Sequence, residues 1–157
     1  HVLPLIMGDA VKAIQSFDRH MPQEVPRVAL VDTFTDEVEE SLSVAQALRE
    51  RLRGVRLDTP EERGGVTAEL VKEVRARLDQ AGFRHVEIFV SGGFDAGRIR
   101  EFTAAETPVD GYAVGSYISS TPPNDFTADI HEIDGRPVAK RGRIPGVTLN
   151  PRLDRIM

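Results

Sequence analysis

Apolar positions along this chain follow two alternating rhythms. Compact apolar runs that read as strands, Val28–Thr33, Val55–Asp58, Val86–Val90 and Gly111–Val114, recur roughly every 25–33 residues, the spacing of βα units. Between them the apolar residues fall at helical intervals. Val38, Leu42, Ala45, Leu48 and Leu52 stripe the segment from Thr35 to Gly54, with Thr35 as its expected cap and Gly54 as its stop. Its acids crowd the first turn and its arginines the last, as a helix dipole prefers. Leu70, Val71, Val74 and Leu78 stripe a second helix closed by Gly82, and a short third one follows Asp95. Met7, Ala10, Val11, Ile14 and Phe17 predict a leading helix from Pro4 to about His20. Short apolar strands separated by amphipathic helices predict an α/β fold, a parallel sheet covered by helices.

After residue 120 the pattern changes. Asp134-Gly135 between two candidate strands predicts a β-hairpin, and the tail is rich in Pro and Arg without a clear period. The expected division is therefore residues 1–120, carrying four strand-centred units, and residues 121–157, hairpin and tail, as part of a second domain.

Composition narrows the chemistry. The chain has 157 residues and a net charge of −5, which argues against non-specific nucleic-acid binding but leaves room for a local anion pocket. It has no cysteine, so disulfides, thiolate catalysis and cysteine-based zinc sites are excluded. It carries no apolar run of membrane-spanning length and no signal-peptide pattern, so a cytoplasmic protein without membrane contact is the expectation. It begins with His1 and enters a helical pattern at once, the look of a chain that starts mid-fold.

In parallel α/β folds, ligands gather where the strands end. The four exits read Asp32-Thr33, then Arg56, Asp58 and Thr59, then Ser91-Gly92-Gly93, then Gly115-Ser116. Glycines at an exit leave N–H groups uncovered, and two such exits on consecutive strands suit a phosphate. The alternative is a tight turn that merely needs glycine. Asp32 and Asp58, at equivalent places on adjacent strands, can hold Mg²⁺ through waters or accept ribose hydroxyls. Arg56, two residues before Asp58, shares its face and can bind an anion or neutralise its neighbour. His20, His85 and His131 read as structural, the acids of "DEVEE" as a solvated helix start, and Glu61-Glu62 as loop surface.

Taken in order, "HVLPLIMGDAVKAI", "VPRVALVDTFTDE", "GVRLDTP", "HVEIFVSGGFD", "VDGYAVGSYISS" and "DGRPVAKRGR" resemble the nicotinate phosphoribosyltransferase family, its archaeal and bacterial-like branch, over nearly the whole chain. The resemblance implies a partial (β/α) barrel from the C-terminal portion of an enzyme usually more than twice this length. It implies that 5-phosphoribosyl-1-pyrophosphate and nicotinate give nicotinate mononucleotide, with ATP as co-substrate, Mg²⁺ as metal and no zinc. By position it implies that His1 is the histidine phosphorylated by ATP. It likewise implies that Asp32 holds pyrophosphate and Mg²⁺, that Arg56 and Asp58 lie near the ribose and phosphates, and that Ser91, Gly92, Gly93, Gly115 and Ser116 cup the 5′-phosphate. Ser116 stands where threonine is commoner. Expected partners are the remaining N-terminal part of the enzyme and further copies in a homo-oligomer, and the isolated piece is expected to be inactive. A quinolinate-specific relative is the alternative, though no basic cluster for a second carboxylate stands out. A non-catalytic phosphate-binding fragment is the third reading.

Overall fold

The computed structural model describes residues 1–125 and 127–152. The chain divides into two compact units, His1–Thr121 and Pro122–Met157.

In the first unit β1 (Val28–Leu30), β2 (Gly54–Leu57), β3 (Glu87–Val90) and β4 (Gly111–Tyr112) form one parallel sheet in the order β1-β2-β3-β4. Consecutive strands as neighbours, all parallel, are what a segment of a (β/α) barrel requires. The crossovers are α3 (Glu37–Leu48), α4 (Ala68–Gln80) and α5 (Ala96–Ala104), preceded by α1 (Val2–Met7) and α2 (Ala10–His20) and followed by α6 (Gly115–Ser119).

One face of the sheet makes the core. Val31, Val55, Leu57, Ile88 and Val90 are fully buried, together with Val44, Ala45, Val71, Val74 and Leu78 from the helices. The alternate residues Leu30, Arg56 and Phe89 are only half-buried, as strand periodicity demands of the opposite face. Phe94 and Phe102 pack edge to face with centroids 4.9 Å apart, closing the core beneath β4. Arg27 is buried where the loop after α2 returns to β1. It binds Asp18 at 3.0 Å and the carbonyls of Pro22 and Met21, pairing backbone groups that the proline-broken loop cannot pair itself.

Several boundaries differ from expectation. The leading helix is two, because Gly8 turns left-handed (φ 66°) and Asp9 caps α2 by accepting from the Lys12 N–H. Asp36, not Thr35, caps α3, since its carboxylate accepts from both Val38 and Glu39 N–H groups. Strand β1 stops at Leu30 because the N–H groups of Thr33 and Phe34 turn to Glu40. Strand β4 is two residues long because Gly115 already opens α6.

Gly54 does not stop α3. The helix ends at Leu48 and passes into a tight turn at Arg49–Arg51, so the arginines fall beyond its last α-helical turn. Gly54 opens β2, where a Cβ would lie 2.7 Å from Phe89 Cε2 and 2.8 Å from the Glu87 carbonyl oxygen.

In the second unit β5 (Glu132–Ile133) and β6 (Arg136–Pro137) form the expected hairpin. Asp134 and Gly135 both take positive φ, 48° and 74°, as the favoured two-residue turn needs.

Candidate functional site

The sheet register builds the site. Leu30 pairs with Arg56, so the row two residues on joins Asp32 to Asp58; Leu57 pairs with Val90, which places Asp58 beside Ser91. Three strand exits thus present Asp32, Asp58 and Ser91 side by side. The Ser91 hydroxyl lies 2.8 Å from Asp58 Oδ1 and 3.1 Å from the Leu57 carbonyl, which ties the second and third exits together. Thr59 donates to Glu37 Oε1 at 2.8 Å. Thr33 contributes its N–H to Glu40, while its hydroxyl is buried without a partner.

Asp32 is the most perturbed group of the row. Its side chain is only 1% exposed, and Oδ2 has no hydrogen-bond partner. Burial, then the nearby charges of Asp58 and Glu37, push its carboxyl up to about 6, against a smaller opposing pull from Arg56. His1 Nε2 lies 2.9 Å from Asp32 Oδ1. Arg56 forms no ion pair with Asp58 among the described residues, and its Nε is buried without a partner. The acid oxygen and the guanidinium nitrogen, on adjacent strands, are thus two buried polar atoms left without partners, which marks the row as a place built for something besides packing.

The raised acid of Asp32 has a consequence for stability. Between about pH 4 and 6 the folded state binds more protons than the unfolded chain, so stability falls as pH rises through that window. Asp32→Asn should therefore stabilise the fold at pH 7.5, by at most about 3 kcal/mol. The gain should shrink on acidification and be absent below about pH 4. Urea unfolding of both forms at four pH values measures this; a variant less stable at pH 7.5 contradicts it.

The glycine turn after β3 borders a second part of the site. Gly92 and Gly93 have φ of 93° and 68°, left-handed values that favour glycine, so the turn needs both. They are exposed, and neither N–H donates a hydrogen bond among the described residues. With Asp58, Thr59, Gly64, Gly65 and Arg98 they line a cleft of about 550 Å³. Arg98 stacks 4.2 Å over the Phe94 ring and donates to the Gly92 and Val66 carbonyls. Asp95 already caps α5 by accepting from the Arg98 N–H, so an anion would meet the glycine N–H groups rather than the helix end. Gly115 and Ser116 start α6 on the neighbouring strand; they are exposed and do not line this cleft.

The "DEVEE" acids are not all solvated. Glu37 and Glu40 are buried at 4% and 5% exposure, whereas Glu39 is exposed. Stripe periodicity reads apolar residues and therefore passes over both; the sequence signal is their position just after an exit aspartate. His20, His85 and His131 each bond a backbone carbonyl, of Ser16, Arg49 and Ile144. Among the described residues there is no cluster of three or more acid or histidine side chains arranged to hold a metal, and no helix is long and apolar enough to cross a membrane.

The family described as the quinolinate phosphoribosyl transferase C-terminal domain matches residues 3–129. A nicotinate phosphoribosyltransferase of Mycobacterium tuberculosis, in two strains, is 40% identical over 110 residues, covering 69% of this chain and 22% of that protein. The crystal structure of nicotinate-nucleotide pyrophosphorylase from Pyrococcus furiosus is similar with a TM-score of 0.74 and 46% identity, over 94% of this chain and 37% of that one. The chain thus spans about a fifth of the curated relatives and little more than a third of the solved structure.

Proposed function

This chain belongs to the family of the quinolinate phosphoribosyl transferase C-terminal domain, and from that premise we propose that it supplies half of an active site for phosphoribosyl transfer in NAD biosynthesis. The donor is 5-phosphoribosyl-1-pyrophosphate and the acceptor a pyridine carboxylate, nicotinate in our reading. The observation that carries this is the row of Asp32, Asp58 and Ser91 across three adjacent strand exits.

The chemistry asks for three things. As the bond to pyrophosphate loosens, positive charge grows on the ribose, and a fixed carboxylate at Asp58 stabilises it. Ser91 holds that carboxylate in place through Oδ1, while Oδ2 makes no hydrogen bond among the described residues. Arg56, with its buried unpaired Nε, offers a cation to the departing phosphates. The N–H groups of Gly92 and Gly93 are free to hold the 5′-phosphate, and the exposed start of α6 at Gly115 and Ser116 lies on the next strand. Mg²⁺, which would add charge neutralisation to the pyrophosphate, belongs to the same proposal, but the unpaired Oδ2 of Asp32 is buried and does not reach a hydrated ion as it stands.

Nicotinate is our reading over quinolinate because the M. tuberculosis relative is named for nicotinate. ATP coupling through His1 belongs to the same proposal.

The test uses the protein that carries this chain, with the ribosyl donor and nicotinate, nicotinamide or quinolinate, with and without ATP. Mononucleotide formation from nicotinate, increased by ATP, is the expected result. Release of CO₂ with quinolinate as the preferred acceptor would replace nicotinate by quinolinate. No transfer to any acceptor would overturn the reading.

A further inference from the structure

Glu37 and Glu40 lie three residues apart on one face of α3, and both are buried. Burying a carboxylate is costly unless it is hydrogen-bonded. Helix capping does not account for it, because Asp36 already accepts from the first N–H groups and Glu39 shares the dipole benefit from an exposed position. Their partners lie outside the helix. Glu40 spends one oxygen on the Thr33 N–H (2.9 Å) and the other on the Phe34 N–H (2.8 Å), the two residues that follow Asp32. Glu37 accepts from the hydroxyl of Thr59, the residue that follows Asp58, at 2.8 Å.

We propose that Glu40 and Glu37 are positioning residues, through which the start of α3 grips the β1 and β2 exits together and fixes the separation of Asp32 from Asp58. This rests on the phosphoribosyl-transfer reading only for its consequence in catalysis. Each grip satisfies donors that would otherwise be left unpaired where the chain leaves the sheet. One rigid helix end spans both exits, so the two carboxylates of the row move as one body. A charge placed within a fraction of an ångström in the transition state needs such support.

The experiment compares Glu40→Gln, Glu40→Asp and Glu37→Gln with Glu39→Gln, an exposed control in the same turn. Amide exchange should quicken about tenfold at Thr33 and Phe34 in both Glu40 variants, with Val55 and Ile88 unchanged. Well below the unfolding temperature, kcat should fall about tenfold or more, with the KM for the ribosyl donor within about threefold. Glu40→Asp keeps the charge and withdraws it by one methylene, so it stays informative if the amide variant does not fold. Exit amides that exchange as in the wild type, or a folded Glu40→Asp with wild-type kcat, overturn the inference. A wild-type protein without transferase activity defeats the functional reading instead, and the exchange measurement then decides this one alone: loosened exits support it, unchanged exits overturn it.

Discussion

Asp58→Asn is expected to lower kcat/KM for phosphoribosyl transfer by about 10²–10³-fold, nearly all of it in kcat. Asparagine keeps the shape and keeps an oxygen for the Ser91 hydroxyl, so the row should survive. On the proposed reading, what disappears is the negative charge that would face the ribose as it becomes cationic. Glu69→Gln, an exposed acid in the first turn of α4, is the matched control and should stay within about twofold. Steady-state kinetics on both variants decides the matter, and equal values would remove Asp58 from the catalytic role.

The second large effect concerns the face of the sheet opposite the core. Phe89 lies between two glycines, and a Cβ on either would collide with its ring: Gly54 at 2.7 Å and Gly111 at 2.8 Å. Gly54→Ala should cost about 2–3 kcal/mol and lower Tm by roughly 5–10 °C. The two collisions differ in kind. At Gly111 both close atoms belong to the Phe89 ring, whereas at Gly54 the Glu87 carbonyl is also only 2.8 Å away. Adding Phe89→Leu should therefore relieve Gly111→Ala and leave much of the Gly54→Ala penalty in place. Double-mutant cycles by thermal unfolding measure this. Equal relief at both positions would show that the ring alone sets the limit.

Gly54 also shows where sequence reasoning reaches its limit. A glycine after a helical pattern looks like a helix stop. Its reason here is a backbone carbonyl and a ring on another strand, 33 and 35 positions on in sequence, and no local rule contains that. The strand and helix order was legible because periodicity is imposed by burial on one face, and the core of Val55, Leu57, Ile88 and Val90 is that face. The exits at Asp32, Asp58 and Ser91 were legible too, because a polar residue that ends an apolar run marks the point where a strand leaves the core. Strand ends were less so. Thr33 reads as part of a strand until Glu40 takes its N–H, a contact between one element and the start of the next. The buried acids of α3 share that difficulty, since a glutamate at a helix start looks the same whether it faces water or a neighbouring loop. Arg56 was placed on the right face by strand alternation, but its lack of a partner is visible only once the register is known.

The row of site residues is counted from the sheet and not along the chain. Asp32 and Asp58 are 26 positions apart and Asp58 and Ser91 are 33, yet the register of the ladder, carried one or two residues past its last pairs, sets them level. The connections are thus slack in a way the strands are not. Extra residues in the turn between α4 and β3 change the path and leave the three side chains abreast. A single residue added inside β2 reverses every side chain beyond it and carries Asp58 to the helix side. Sequence drift in such a domain should accumulate as length in its turns, with the strands acting as a ruler that cannot be recut.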